Sequence, residues 1–488
     1  MALMATADSP LPPNVLFVVA DDLNTSIGCY GGDAITPNLD AFARTGLMFS
    51  RAYCQESVCG PSRNSVLSGL RPDTETERIG RGNGAGPALR RIRPSAITLP
   101  ELFQRNGYYT VSIGKIFHHG EVETGGAVGP RMPRDELSWS EEPWYHGNPY
   151  QQWFEPKSFE LVERMRALPE ANRPRIIRGP PYESSKQSDE VYPDGQIADQ
   201  AIKTLRRVQD RPFFIALGFR RPHLPFNAPQ KYWDLYPEKE INLPDNYFPP
   251  QNAPVVALHD SYELRSYADI PATGEIPERQ ARNLVRGYKA AISYMDAQFG
   301  RVMNELATLG LSENTLVVFW SDHGYHTGEN GLWTKMTNFE IATRVPLMVR
   351  VPNQSMQGES TGAIVELVDL YPTLAEFCKL PAPNDIEGKS FVPLLTNPHQ
   401  PWKEVAYSQF RRGRDAREDR SDSPLGRSMV TSRYRFTEWR TQAGECIGTE
   451  LYDLERDPSN NVNLAGLSEH QELVLQLSKR LRESPLHR

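Results

Sequence analysis

The chain has 488 residues, with 54 Lys and Arg against 61 Asp and Glu, a formal net charge of −7 and 39% apolar residues. That length holds two or three average domains, or one large α/β domain with an appendage. The acidic balance excludes general nucleic-acid binding, which leaves a basic footprint, and no apolar run reaches the ~20 residues of a membrane span.

The five cysteines, Cys29, Cys54, Cys59, Cys378 and Cys446, are too few and too scattered for a disulfide framework. Their odd number leaves one over, and Cys59 is the candidate. Residues 1–7 lack the basic n-region and the apolar length of a signal peptide. The compartment is therefore left open, a periplasmic, secreted or lysosome-like one being expected if a leader has been removed.

Val15 to Ala20 is a continuous apolar, β-branched run, the pattern of a strand buried on both faces, and it ends in Asp21-Asp22. Thr36-Pro37 opens a short helix closed by Gly46, and Met48 to Ala52 reads as a second strand. Thr98 with Pro100 starts another helix, and Tyr109 to Ile113 reads as a strand that leads into Lys115, His118 and His119. From Glu121 to Asp189 no period is visible, which marks a long insertion of the functional kind.

Asp194 is expected to cap a helix over Ile197 to Val208, and Phe213 to Phe219 is again a buried-strand run, followed by Pro222-His223-Leu224-Pro225. A proline-rich excursion reaches Pro277. A long amphipathic helix, with a break in prospect, follows through Leu284, Tyr288, Ile292, Met295 and Val302. Thr315 to Trp320 is the next strand, ending at Ser321-Asp322-His323-Gly324.

Strands alternating with helices predict an α/β fold with a mostly parallel sheet flanked by helices. Ligands bind such sheets outside the carboxyl ends of the strands, so residues scattered over 300 positions are expected to meet at one edge. The pattern changes near Pro401. Strand-like runs at Val405–Phe410, Ser428–Ser432, Tyr434–Arg440 and Thr449–Tyr452, then a helix over Glu469–Leu481, predict a smaller C-terminal α+β domain with an antiparallel sheet. The expected division is 1–400 and 401–488.

The stretch Cys59-Gly60-Pro61-Ser62-Arg63 runs on into Leu67-Ser68-Gly69-Leu70-Arg71. Proline favours the first turn of a helix, which places Cys59 at or just before a helix N-terminus, where unpaired N–H groups favour an anion. Neighbouring carboxylates such as Asp21-Asp22 repel one another and need a cation or donors. With Asp322 arriving from another strand end, the set suits a hard divalent ion. Lys115, His118, His223 and Lys335 each read, alone, as solvated or loop-ordering residues.

Cys-x-Pro-Ser-Arg followed by Leu-Ser-Gly-x-Arg resembles the signature of the formylglycine-dependent sulfatases, an alkaline-phosphatase-like family in which this cysteine is oxidised to an aldehyde. The iduronate-2-sulfatase branch of that family is matched further by Gly28-Cys29-Tyr30-Gly31, Gly114-Lys115-x-Phe117-His118, Pro222-His223-x-Pro225-Phe226, Asp322-His323-Gly324, Trp333-x-Lys335-x-x-Asn338-Phe339 and Leu451-Tyr452-Asp453-Leu454. The matches span both expected domains.

The resemblance implies a sulfatase acting on a sulfated saccharide, with a 2-O-sulfate on a uronic-acid-containing glycan as the substrate. It implies Ca²⁺, ahead of Mg²⁺, held by Asp21, Asp22, the modified Cys59 and Asp322; His323, standing where many sulfatases have Asn or Gln, is either a weak further ligand or a contact to the sulfate. It implies catalytic roles for Cys59, Arg63, Lys115, His118, His223 and Lys335, and substrate contacts from Lys115, His223, Lys335 and Trp333. A maturation enzyme that makes formylglycine is the implied protein partner. His326 matches no such position and is expected behind the site. Basic clusters at Arg90, Arg91 and Arg93, at Arg173, Arg175 and Arg178, and at Arg411, Arg412 and Arg414 suit a polyanion if they line the cleft. The rival readings are a phosphonate monoester or phosphodiester hydrolase on the same fold and a non-catalytic glycan-binding relative.

Overall fold

The computed structural model describes residues 12–72, 89, 93–118, 135, 137–145, 153–168, 178–352, 358–412 and 423–487. Its centre is β1 (Asn14–Asp21), buried along its whole length. The apolar run does not alternate because both faces are covered. Val15, Phe17 and Val19 enter one core with Phe214, Ala216, Val318 and Trp320; Leu16, Val18 and Ala20 enter the opposite core with Ile215, Leu217, Val317 and Phe319.

The other strands of this sheet are β2 (Leu47–Phe49), β3 (Tyr109–Gly114), β4 (Phe213–Pro222), β5 (Thr315–Ser321), β6 (Leu347–Arg350) and β7 (Ser360–Thr361). They lie in the order β7-β2-β6-β5-β1-β4-β3. β3, β4, β1 and β5 are mutually parallel, and β6 is antiparallel to both its neighbours. The mostly parallel sheet is therefore as expected. Helix α1 (Cys59–Ser68) packs Val66 and Leu67 on one face. Helices α2 (Pro193–Val208) and α3 (Glu278–Thr308) cover the other with Ile197, Ala201, Leu205, Leu284, Ile292 and Met295.

Four expectations need correction. The run from Met48 to Ala52 is two strands: Leu47–Phe49 stays in the large sheet, while Ala52–Tyr53 pairs with Arg344–Val345 and Val365–Glu366 in a separate three-stranded sheet. Asp194 is the second residue of α2, not its cap; its carboxylate accepts the backbone N–H groups of Arg220 and Arg221 at 2.8 and 3.0 Å, tying α2 to the end of β4. α3 runs unbroken for 31 residues. The insertion contains regular structure among its described residues, a helix over Pro156–Arg166 and a strand over Tyr182–Ser185 that pairs with Phe226–Pro229.

The C-terminal sheet is an antiparallel meander of β8 (Ala406–Arg411), β9 (Leu425–Val430), β10 (Tyr434–Arg440) and β11 (Cys446–Asp453). Helix α4 (Gln471–Arg482) sets Leu477 and Leu481 on Met429, Phe436 and Leu451. β9 starts earlier than the sequence suggests and stops at Val430, where Thr431 and Tyr434 exchange hydrogen bonds to close the turn. Two arginines tie this sheet to the segments 256–257 and 336–343. Arg435 donates to Asn338 O at 2.6 Å, Glu340 Oε2 at 2.6 Å and Thr343 Oγ1 at 2.8 Å. Arg412 donates to Val256 O at 2.6 Å, Met336 O at 2.7 Å and Ala257 O. The C-terminal sheet thereby holds the loop that carries Lys335.

Candidate active site

The tips of β1, β3, β4 and β5 stand side by side and carry Asp21 and Asp22, Lys115 and His118, His223, and Asp322 and His323. The tips come close because two glycines allow it. A Cβ on Gly218 would lie 2.0 Å from Lys115 O, and one on Gly114 would lie 2.2 Å from Gly218 O. Helix α1 begins at Cys59 and points its first turn at the same place.

Arg63, fully buried, is the hub. Nε donates to Asp322 Oδ2 at 2.8 Å, Nη2 to Asp21 Oδ1 at 3.2 Å, and Nη1 to the carbonyls of Lys115 and Ile116. Lys115 Nζ reaches Asp21 Oδ2 at 2.6 Å. Lys335 Nζ lies 2.8 Å from Asp22 Oδ2. The Cys59 sulfur is 3.2 Å from His323 Nε2 and 3.8 Å from Asp22 Oδ1, and His118 hydrogen-bonds it as well. His223 Nε2 stands 3.8 Å from Asp22 Oδ2. Every candidate from the sequence except Trp333 thus falls in one cluster.

Burial dominates the electrostatics, and the charged partners decide the sign. Burial pushes the Cys59 thiol up, but Lys115, Lys335, His323 and His118 together hold it well below its usual range. Position 59 is thus built to carry negative charge. Burial likewise pushes Asp21 up, and Lys115 with His223 and Arg63 overrides it, keeping that carboxyl below the ordinary range. For Asp22 burial wins over His223 and Lys335, and the carboxyl rises to about 6. Burial lowers His323, yet Asp322, Cys59 and Asp22 raise it to about 9.

Oxygens of Asp21, Asp22 and Asp322 lie within 4.8 Å of one another. Three buried carboxylates this close form a hard donor set for a divalent cation. His323 Nδ1 faces Gly324 O at 2.9 Å, so that nitrogen carries the proton and Nε2 is turned to the cluster, the arrangement of a ligating imidazole. The residues present fit a bound divalent ion.

Trp333 does not join the cluster. Its ring is 3% exposed and packs edge-on to Tyr247, with centroids 6.3 Å apart, at the wall of a neighbouring cleft of about 720 Å³ shared with Ser261 and Arg265. His326 lies behind the site as expected. Its Nε2 meets Thr337 Oγ1 at 2.9 Å and its Nδ1 meets Glu329 O at 3.0 Å, bracing the Lys335 loop. Of the basic clusters, Arg90, Arg91, Arg173, Arg175 and Arg414 lie outside the described residues. Arg93 pairs with Asp385, Arg411 bonds Ser423 O, and Arg412 is spent on the backbone contacts above. Arg178 packs over Tyr267, 5.1 Å from its ring centre, and its charge reaches Glu263.

Glu263 is the residue that sequence reasoning missed. It lies on a one-turn helix, Tyr262–Arg265, in the proline-rich excursion. Its carboxylate takes Lys335 Nζ at 3.2 Å and His223 Nε2 at 3.3 Å. Against the upward push of burial, Lys335 and His223 hold it well below the usual carboxylate range.

A parallel sheet with its chemistry gathered at the strand tips in this way is the arrangement of the alkaline-phosphatase-like hydrolases. A phosphonate monoester hydrolase of Agrobacterium radiobacter superimposes with a TM-score of 0.72 at 22% identity, over 96% of this chain and 95% of its own. A 2-O GAG sulfatase does so with a TM-score of 0.70 at 21% identity, over 97% and 91%. At those identities the likeness is one of fold. The sequence goes further. A family model described as Sulfatase matches residues 13–379, and one described as N-sulphoglucosamine sulphohydrolase, C-terminal matches 328–486. The iduronate 2-sulfatase of Mus musculus is 30% identical, covering 94% of this chain and 92% of the mouse protein; that of Homo sapiens is 30% identical, covering 92% and 90%. The chain belongs to the sulfatase family and is a sulfuric ester hydrolase acting on sulfated sugars.

Proposed function

We propose that this sulfatase removes a 2-O-sulfate from a uronic-acid-containing glycan, with Cys59 converted to formylglycine and Ca²⁺ held by Asp21, Asp22, Asp322, His323 and residue 59. The observation that carries the mechanism is the ring of cationic and imidazole groups, Lys115, Lys335, His118 and His323, around a buried position 59. The similarity to iduronate 2-sulfatases supports the substrate.

Formylglycine supplies a hydrated aldehyde, one hydroxyl to attack sulfur and one to restore the aldehyde as sulfate leaves; the ion supplies Lewis acidity. Lys115 and Lys335 face the sulfate oxygens and stabilise charge that grows in the transition state. His223 Nδ1–H donates to Leu224 O at 2.7 Å, and in the doubly protonated ring, favoured by the Asp22 and Glu263 carboxylates beside Nε2, that second nitrogen carries the proton delivered to the leaving sugar oxygen, leaving the neutral ring. His118 takes the proton from residue 59. Arg63 has its donors committed to Asp21, Asp322 and two carbonyls, so it holds the frame rather than the sulfate. Maturation by a formylglycine-forming enzyme and a periplasmic, secreted or lysosome-like location go with this reading.

Desulfation of a panel of defined sugar sulfates tests it. Turnover of 2-O-sulfated uronates ahead of other sugar sulfates is expected; turnover of other positions with none on any uronate 2-sulfate would overturn the substrate. Aryl sulfate turned over no faster than aryl phosphonate monoester would favour the rival hydrolase. Mass analysis of the peptide containing residue 59 reads the aldehyde directly.

A further inference from the structure

Arg221 carries a buried charge that the mechanism above leaves without a task. It lies near the end of β4, two residues before His223, and its side chain is shut off from solvent. The nearby Asp194 carboxylate is taken by the backbone N–H groups of Arg220 and Arg221, and among the described residues no acid pairs with the guanidinium. Burial lowers its pKa against the upward pull of Asp194. A charge kept under these conditions costs stability, so packing does not explain its place in the core.

What the guanidinium does hold is the loop that carries His223. Nη1 donates to His223 O at 3.0 Å and Nε to Asn227 O at 3.0 Å, so one rigid fork spans the loop from His223 to the strand Phe226–Pro229. The segment contains Pro222 and Pro225, which have no N–H to give, so its carbonyls draw on a side-chain donor. The fork fixes the peptide plane between His223 and Leu224. The next carbonyl, Leu224 O, takes the Nδ1 proton at 2.7 Å and sets the rotation of the ring. Nε2 then stands 3.8 Å from Asp22 Oδ2 and 3.3 Å from Glu263 Oε1.

We infer that Arg221 is a positioning residue for proton delivery by His223: its fork locks the 223–227 loop and so keeps Nε2 turned into the carboxylate cluster. Its own hydrogen bonds all go to backbone carbonyls, and a lysine, with a single point of attachment, cannot replace the fork. The inference rests on the reading of His223 as general acid, and the test keeps the two apart. Wild type, His223→Ala, Arg221→Met, Arg221→Lys and the double variant Arg221→Met/His223→Ala are compared, each with conversion of residue 59 verified by mass. For each, kcat/KM is measured on the sugar sulfate turned over best and on para-nitrophenyl sulfate, whose leaving group departs without a proton.

On the sugar sulfate, Arg221→Met is expected to lower kcat/KM by about 10–100-fold, the scale of a misplaced reacting group, and Arg221→Lys by less. On the nitrophenyl ester both should stay within about threefold of wild type. The ratio between the two esters, taken within one enzyme, does not depend on the fraction folded. His223→Ala removes general-acid catalysis worth about 100-fold or more. In that background Arg221→Met should cost no more than about threefold on the sugar sulfate, because residues acting through one another are not additive. A sugar-sulfate rate unchanged in Arg221→Met, or a loss as large in the His223→Ala background as in wild type, would overturn the inference. So would equal losses on both esters from Arg221→Met where His223→Ala spares the nitrophenyl ester. If His223→Ala slows both esters alike, the acid role of His223 is refuted, and the cycle on the sugar sulfate still decides whether Arg221 acts through that residue.

Discussion

Replacing Arg63 by Met tests the claim that its guanidinium frames the carboxylate cluster. The side chain is fully buried and makes four hydrogen bonds, to Asp322, Asp21 and the carbonyls of Lys115 and Ile116. Removing one partner of a buried ion pair costs about 3–5 kcal/mol, because the other charge stays buried and uncompensated. Here two carboxylates lose a partner, though Lys115 still faces Asp21 at 2.6 Å. Asp322 is therefore the group left most exposed to the loss. The two carbonyls add about 1 kcal/mol each at the low end of the cost of an unmade bond, and apolar packing of Met offsets part of that. The net expectation is a loss of about 4–6 kcal/mol.

Thermal melts with excess chelator read this, since a bound ion would mask the missing charge. For a chain of this size the loss corresponds to a fall of about 4–6 °C, by extrapolation from smaller domains. Asp322→Asn alone is expected to cost less, and the double variant Arg63→Met/Asp322→Asn less than the sum of the two. The coupling should reach about 2 kcal/mol, as for residues in one buried network. Additivity within about 0.5 kcal/mol, or a single-variant melt within about 2 °C of wild type, would refute the framing role. Arg63→Lys keeps the charge without the fork and is expected to recover about half of the loss.

Chelation of wild type should lower the melting temperature as well as activity, because an ion at about 100 times its Kd adds about 2.7 kcal/mol; Ca²⁺ is expected to restore both more fully than Mg²⁺, and a melt indifferent to chelator would contradict the site. Glu450 gives a pH prediction: burial lifts its carboxyl to about 7, with Trp439 Nε1 at 3.1 Å and Tyr452 as partners. A folded-state pKa above the unfolded value means stability present below about 4.5 and lost as pH rises through about 7, about 3 kcal/mol in all, so Glu450→Gln should raise the melt at pH 8 and leave it unchanged near pH 4.5. Arg412→Met frees Met336 O next to Lys335, and kcat/KM at 25 °C should fall about tenfold, the scale of a small misplacement of a reacting group; an unchanged kcat/KM with a lowered melt would confine Arg412 to stability.

The strand tips were legible because their signals are local. A doubly buried strand reads as an unbroken apolar run, and the polar pair that ends it, Asp21-Asp22, stands out against it. The motif around Cys59 carried its own helix start, which the structure places at Cys59. What failed depended on distant partners. Leu47–Phe49 and Ala52–Tyr53 are both apolar and differ only in which strands receive them. Asp194 looked like a cap by propensity, but the N–H groups at the end of β4, 26 residues on, recruited it. Glu263 sits in a stretch without periodicity, 72 residues from the Lys335 it meets. Tyr262-Glu263-Leu264-Arg265 hints at a helical turn, yet nothing in it sets that acid apart from Glu275 or Glu278.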